Sequence, residues 1–209
     1  MLPTHLRAAA RGAFLALAAL PLLAAAAAAQ ETVPADSAVP VVPRGPFVGF
    51  VVEASGEYGG DVVATTLFDD GSTQETHGGQ GVTAAVGLRL RPRVDSPLGL
   101  RATVGLKYVT TKATNAHITF TRVPIEVVGS YDVAGDFWVG GGYVHHTAVR
   151  YRGDGIGPDA DFDDAGGATV EAGWRGIALT YTAIRYTHEN DEFDGGSFGV
   201  SFTHTFGGR

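Results

Sequence analysis

A two-residue hydropathy period, returning segment after segment, constrains this chain more than any other feature. In residues 82–91, Val82, Ala84, Val86, Leu88 and Leu90 fall on one face of an extended chain; Thr83, Ala85, Gly87, Arg89 and Arg91 fall on the other. Residues 100–109 repeat this, with Leu100, Ala102, Val104, Leu106 and Tyr108 against Arg101, Thr103, Gly105, Lys107 and Val109. Residues 48–58, 168–175 and 197–206 follow, the last with His204 as the one break on its apolar side. Successive side chains of a strand point to opposite faces, so such alternation marks strands with one apolar and one polar side. Residues 117–131, 137–151 and 177–186 are less regular. The first changes phase near Arg122-Val123-Pro124, where proline removes a ladder donor and a bulge is expected. In residues 177–186 the pattern does not say which face is which. The total is about eight strands. Turns at 92–97, 132–136 and 175–176 are short, whereas 152–164 and 188–195 are longer and acidic. Residues 62–68 and 73–80 read as overhangs of the first two strands, with a bulge at Gly59-Gly60.

Alternation alone does not say which face is the core. A soluble barrel or sandwich buries the apolar side; a membrane barrel turns it outward and fills a polar interior. The polar face carries both signs of charge: Glu53, Glu57, Glu126 and Glu171 against Arg89, Arg101, Lys107, Arg122 and Arg175. In a closed lumen these charges must pair, because an isolated buried charge is costly. Arg122 is expected to meet Glu53 or Glu171, and Glu126 to meet Arg101 or Lys107. Aromatics stand near strand ends (Tyr58, Tyr108, Tyr131, Phe137, Tyr151, Trp174, Phe206), as interfacial girdles do. Glycine, at 30 of 209 residues, is about twice as frequent as usual. Gly49, Gly87, Gly105, Gly173 and Gly199 fall on the polar face, where a narrow lumen leaves little room. An open sheet edge is not tolerated in lipid, so the sheet must close. The expected fold is all-β: an eight-stranded antiparallel up-and-down transmembrane β-barrel.

The remaining sequence divides around that barrel. Residues 1–29 have Arg7 and Arg11, an apolar alanine-rich run and Ala27-Ala28-Ala29 before Gln30, the layout of a cleavable signal peptide. Residues 30–45 are a proline-rich spacer, 46–206 the barrel and 207–209 a tail. The formal charge of −7 and the lack of cysteine argue against nucleic-acid binding and exclude disulfides and thiolate chemistry.

With its signal peptide, period-2 strands and the ending GVSFTHTF, residues 46–206 resemble the small eight-stranded outer-membrane β-barrels of the OmpA transmembrane-domain and OmpX type. In that ending Gly199, Phe202 and Phe206 resemble the C-terminal signal read by the barrel assembly machinery, with His204 where a second aromatic is usual. The resemblance implies the outer membrane of a Gram-negative bacterium, contact with outer-membrane lipid and lipopolysaccharide, and a monomer.

Chemistry is sparse. Ser201 and His204 point to opposite faces of one strand and form no dyad. His145 and His146 also diverge, His146 toward the lumen with Arg150. H-E-x-x-H does not occur. Asp159, Asp161 and Asp163 have one-three-five spacing but lack the glycine and glutamate of a calcium loop, so they are weak metal candidates. No cofactor is expected. The leading reading is a non-enzymatic outer-membrane barrel with a polar, ion-paired lumen and acidic surface loops, structural or surface-presenting, with a minor small-solute pore as its variant. A lipid-modifying barrel enzyme and a secreted lipocalin-like barrel are the alternatives.

Overall fold

The computed structural model describes residues 45–67, 71–113, 116–153, 159–189 and 191–207, all within the compact unit Pro43–Arg209. The expected signal peptide and nearly all of the spacer lie outside the described residues. Twelve strands are present among them: β1 (Phe47–Tyr58), β2 (Val62–Leu67), β3 (Thr73–His77), β4 (Gly81–Arg91), β5 (Leu98–Ala113), β6 (Ala116–Ala134), β7 (Phe137–Arg152), β8 (Ala160–Asp161), β9 (Ala165–Trp174), β10 (Ile177–His188), β11 (Asp191–Asp194) and β12 (Ser197–Phe206). Eight of them close a ring, β1-β4-β5-β6-β7-β9-β10-β12, and β12 pairs back onto β1 from Phe50↔Phe206 to Tyr58↔Phe198. Every neighbouring pair is antiparallel. The chain is an eight-stranded up-and-down barrel with no open edge.

Side-chain polarity is inverted relative to a soluble barrel. Phe198 is 71% exposed, Leu179 68% and Val82 66%, while Arg101 is 7% exposed and Arg122 0%. Apolar side chains outside and charges inside are the arrangement a bilayer stabilises. The facing of β10 is now fixed: Ala178, Thr182, Ile184 and Tyr186 point in, and Ile177, Leu179, Tyr181 and Arg185 point out.

The irregularity at Arg122-Val123-Pro124 has a different origin from the one expected. Strand β6 keeps one phase throughout, with Ile118, Phe120, Arg122, Pro124 and Val128 all buried. What changes is the interior itself, polar around Arg122 and apolar around Phe120. The bulge is in the partner strand. Register moves from Thr121↔Arg150 to Val123↔Thr147, leaving two β7 residues opposite Arg122, and Ala148 takes a left-handed φ of 51°. The extra residue flips every side chain beyond it. Tyr151, expected in an outer girdle, is 8% exposed inside the barrel, and Arg150, expected beside His146, points out.

The overhang reading of residues 62–80 also needs correction. Strands β2 and β3 pair with each other in a separate two-stranded sheet. Gly59 and Gly60, at φ 141° and 84°, turn the chain away from the line of β1 in a conformation that side chains rarely adopt.

Candidate functional site

The interior is stacked in three tiers. The deepest is a carboxylate cluster around one guanidinium. Arg101 of β5 lies 3.3 Å from Glu53 of β1, 2.8 Å from Glu126 of β6 and 2.6 Å from Glu171 of β9. Three strands each turn an inward carboxylate onto this one cation of β5. Arg89 also faces inward, directly opposite Arg101 in the β4–β5 ladder.

The middle tier holds a backbone segment. Lys107 Nζ donates to Glu57 Oε2 at 2.8 Å and to the Gly79 carbonyl at 2.8 Å. Glu57 is held further by the Ser197 hydroxyl at 2.8 Å and the Ser55 hydroxyl at 3.1 Å. Arg122 donates to the carbonyls of Gly78 and Gln80, so two buried cations capture three consecutive carbonyls on the stretch returning from β3 to β4. That stretch can come so close because Gly78 and Gly79 lack side chains: a Cβ would sit 2.8 Å from the Asp194 and Gly195 carbonyl oxygens respectively. The carboxylates expected for Arg122, Glu53 or Glu171, are not its partners.

The upper tier is apolar. Val109, Ile118, Phe120, Val144, Val149, Tyr151, Ile184 and Tyr186 form a buried cluster, with Val63, Ala64, Ala160 and Phe162 packed on it. Phe120 meets Tyr151 and Tyr186 edge-on, each at 6.4 Å, and Phe162 meets Tyr186 at 6.3 Å. Arg122 joins the two upper tiers, its guanidinium 4.2 Å from the Phe120 centroid and donating to the Tyr186 hydroxyl at 3.3 Å. His146 Nδ1 is hydrogen-bonded to that same hydroxyl. Sequence reasoning missed this tier because inward Phe120 and Ile118 alternate with Thr119 and Thr121, which reverses the polarity the other strands display. The Gly78-Gly79 doublet was the only sequence trace of the captured carbonyls.

Between Glu53, Thr83, Lys107, Glu126 and His146 lies a cavity of about 30 Å³.

Other candidates fall elsewhere. Arg175 is not in the lumen: it occupies the β9–β10 turn at φ 55°, exposed, 2.9 Å from Asp136 and stacked 4.7 Å over the Trp174 ring. The alternation that assigned it inward ends one residue earlier, at Trp174. Asp161 is paired to Arg152 at 2.7 Å, Asp159 accepts from the Gly153 amide at 2.9 Å, and Asp163 is exposed. Residues 154–158 of that loop lie outside the described residues. Among the described residues, no three His, Cys, Asp or Glu side chains are grouped to hold a metal. Ser201 is buried at 1% exposure, and His204 is exposed on the outer wall against Phe206. His145 faces outward, 3.8 Å from Asp164. On β12, Phe202 and Phe206 face outward, and inward Gly199 leaves only the room that Glu57 takes up.

No family model and no curated protein matches the chain. Among solved structures it is similar to Ail, the attachment invasion locus protein of Yersinia pestis, in complex with the heparin analogue sucrose octasulfate. That alignment has 8% identity and a TM-score of 0.42 over 77% of this chain and 99% of the other. A second crystal structure of Ail aligns at 9% identity and a TM-score of 0.34 over the same shares. The barrel assignment rests on the strand pairings and side-chain polarity described above, not on these alignments.

Proposed function

We propose that this chain is a non-enzymatic integral outer-membrane β-barrel whose role is structural and surface-presenting. The observation that carries the reading is the inverted polarity of a closed sheet: a mainly apolar wall around ion-paired charges. In water that wall is an apolar surface far larger than soluble monomers tolerate; in lipid it is the stable arrangement. The short-turn end faces the periplasm together with both barrel termini, and the long connections with their aspartates and glutamates face outside. Export through residues 1–29, assembly through Gly199, Phe202 and Phe206, and a monomeric state belong to the same proposal, as does contact with lipopolysaccharide.

One feature speaks for anchoring over transport: among the described residues, rings and captured backbone fill the outer end of the barrel. The test is cell fractionation followed by gel electrophoresis with and without heating. The expected result is a band in the outer-membrane fraction whose mobility shifts on boiling. A protein recovered in the soluble periplasm without detergent refutes the reading and revives the lipocalin-like alternative.

A further inference from the structure

The outer wall lacks side chains in more than one place: besides the Gly129–Gly141 pair of β6 and β7, beside a groove of about 350 Å³, a larger hollow lies on β1. Along β1 the outward residues run Val48, Phe50, Val52, Ala54, Gly56, Tyr58. Gly56 is the centre of a row across five strands: Leu179 pairs with Val200, Val200 with Gly56, Gly56 with Val82, and Val82 with Tyr108. Every other member of that row is large. One step down the strand, Ala54 pairs with Ala84, between Phe202 and Leu106. Gly56 floors a groove of about 780 Å³ whose walls include Tyr58, Val82, Leu179, Phe198 and Val200.

Gly56 differs from the lumen glycines. At Gly105 an added Cβ would lie 2.8 Å from the Ala85 Cβ, so the interior demands glycine there. At Gly56 a Cβ would meet nothing within 4 Å, and its φ is outside the left-handed range. Glycine weakens a strand interior, and neither packing nor backbone angle requires it at this position. What the residue provides is the hollow.

We infer that this hollow seats a linear acyl chain of a bilayer lipid, in the leaflet on the long-loop side. The inference rests on the outer-membrane reading above and names a lipid contact within it. The groove is continuous with the apolar wall, so its occupant is hydrocarbon. Its walls carry no cationic side chain, so it grips the chain and not a phosphate headgroup. Tyr58, Tyr108 and Phe198 lie toward the long connections, which places the groove in that half of the wall. A second copy of the protein fits poorly, because a two-fold contact centred on Gly56 sets hollow against hollow and forfeits dispersion contacts on both sides. An acyl chain is slender and conformable enough to fill the notch.

The experiment compares wild type, Gly56→Leu and Ala168→Leu, each folded in detergent micelles, incubated with dimyristoylphosphatidylcholine and examined by native mass spectrometry. Ala168 also faces outward but lies off the groove. A leucine at position 56 enters open space, so the heat-shifted band persists and confirms folding. Wild type and Ala168→Leu are expected to retain a lipid, and Gly56→Leu to lose about fivefold of that retention, the scale of a packing interaction in an apolar medium. Equal retention by wild type and Gly56→Leu overturns the inference while leaving the membrane barrel standing. Because the chain has no cysteine, Gly56→Cys gives a clean second reading. Efficient disulfide-linked dimers make a second copy the occupant and overturn it too; monomers with wild-type retention blocked by a bulky maleimide support it. A protein that stays soluble without detergent defeats the underlying reading instead.

Discussion

Single residues in the lumen divide into those that fill space and those that settle charge. Gly173 is of the first kind. A Cβ there would lie 2.5 Å from Cζ2 of Trp138, and the indole cannot yield because its Nε1 donates to the Arg175 carbonyl at 3.0 Å. Gly173→Val is therefore expected to cost about 1–3 kcal/mol from overpacking, read as a lower yield of the heat-shifted form on folding into micelles. Arg101 is of the second kind, one cation facing Glu53, Glu126 and Glu171. Removing one partner of a buried charge group costs about 3–5 kcal/mol, because the rest are stranded. Arg101→Met should lower the urea midpoint of the micelle-bound protein accordingly. Adding Glu126→Gln and Glu171→Gln to it should recover part of the loss, and a triple variant no more stable than the single one contradicts the cluster. Arg175→Ala, by contrast, removes an exposed pair and an exposed ring contact and should stay within about 1 kcal/mol of wild type. The two-residue period put Glu53, Arg101, Glu126 and Glu171 on one face, yet it could not separate Arg101 from Arg175, because a turn keeps the chemistry of a strand residue and loses its direction.

At the scale of elements, what matters is how the β2–β3 hairpin is held. Its return stretch enters the barrel mouth and gives three carbonyls to Lys107 and Arg122. The double variant Lys107→Met, Arg122→Met should free that connection while the eight-stranded ring persists. Limited proteolysis is then expected to cut within residues 59–80 at least about tenfold faster than in wild type, tracking the population of the opened loop. Equal cleavage of the two proteins would show that the cations do not hold the hairpin. A hairpin over 62–80 was legible in the sequence, but whether its strands continue β1 and β4 or form a sheet of their own was not. Only the angles at Gly59 and Gly60 decide between them. Strand β7 shows the same limit. Ala148 carries no sequence mark of a bulge, yet one extra residue there moves Tyr151 from the expected girdle to the core.

The barrel's wall and its contents obey opposite solvents. Among the described residues, Phe120, Tyr151 and Tyr186 fill the outer end of the barrel, so wild type reconstituted in planar bilayers is expected to be nearly silent. The Lys107→Met, Arg122→Met variant should add at most brief openings, since Phe120, Tyr151 and Tyr186 still close the outer end. Steady wild-type conductance would mean that these rings do not seal the barrel. The sequence by itself determined the eight alternating strands, their antiparallel closure and the inverted polarity. Those follow from local rules: side chains alternate every residue, lipid forbids an open edge, and a narrow lumen needs glycine. Only the tertiary structure decided which charges meet, where the interior turns from polar to apolar, which strand bears the bulge, and that the outer wall is hollow at Gly56. Each of these depends on register between strands far apart in the chain, and register is set by packing that no local pattern records.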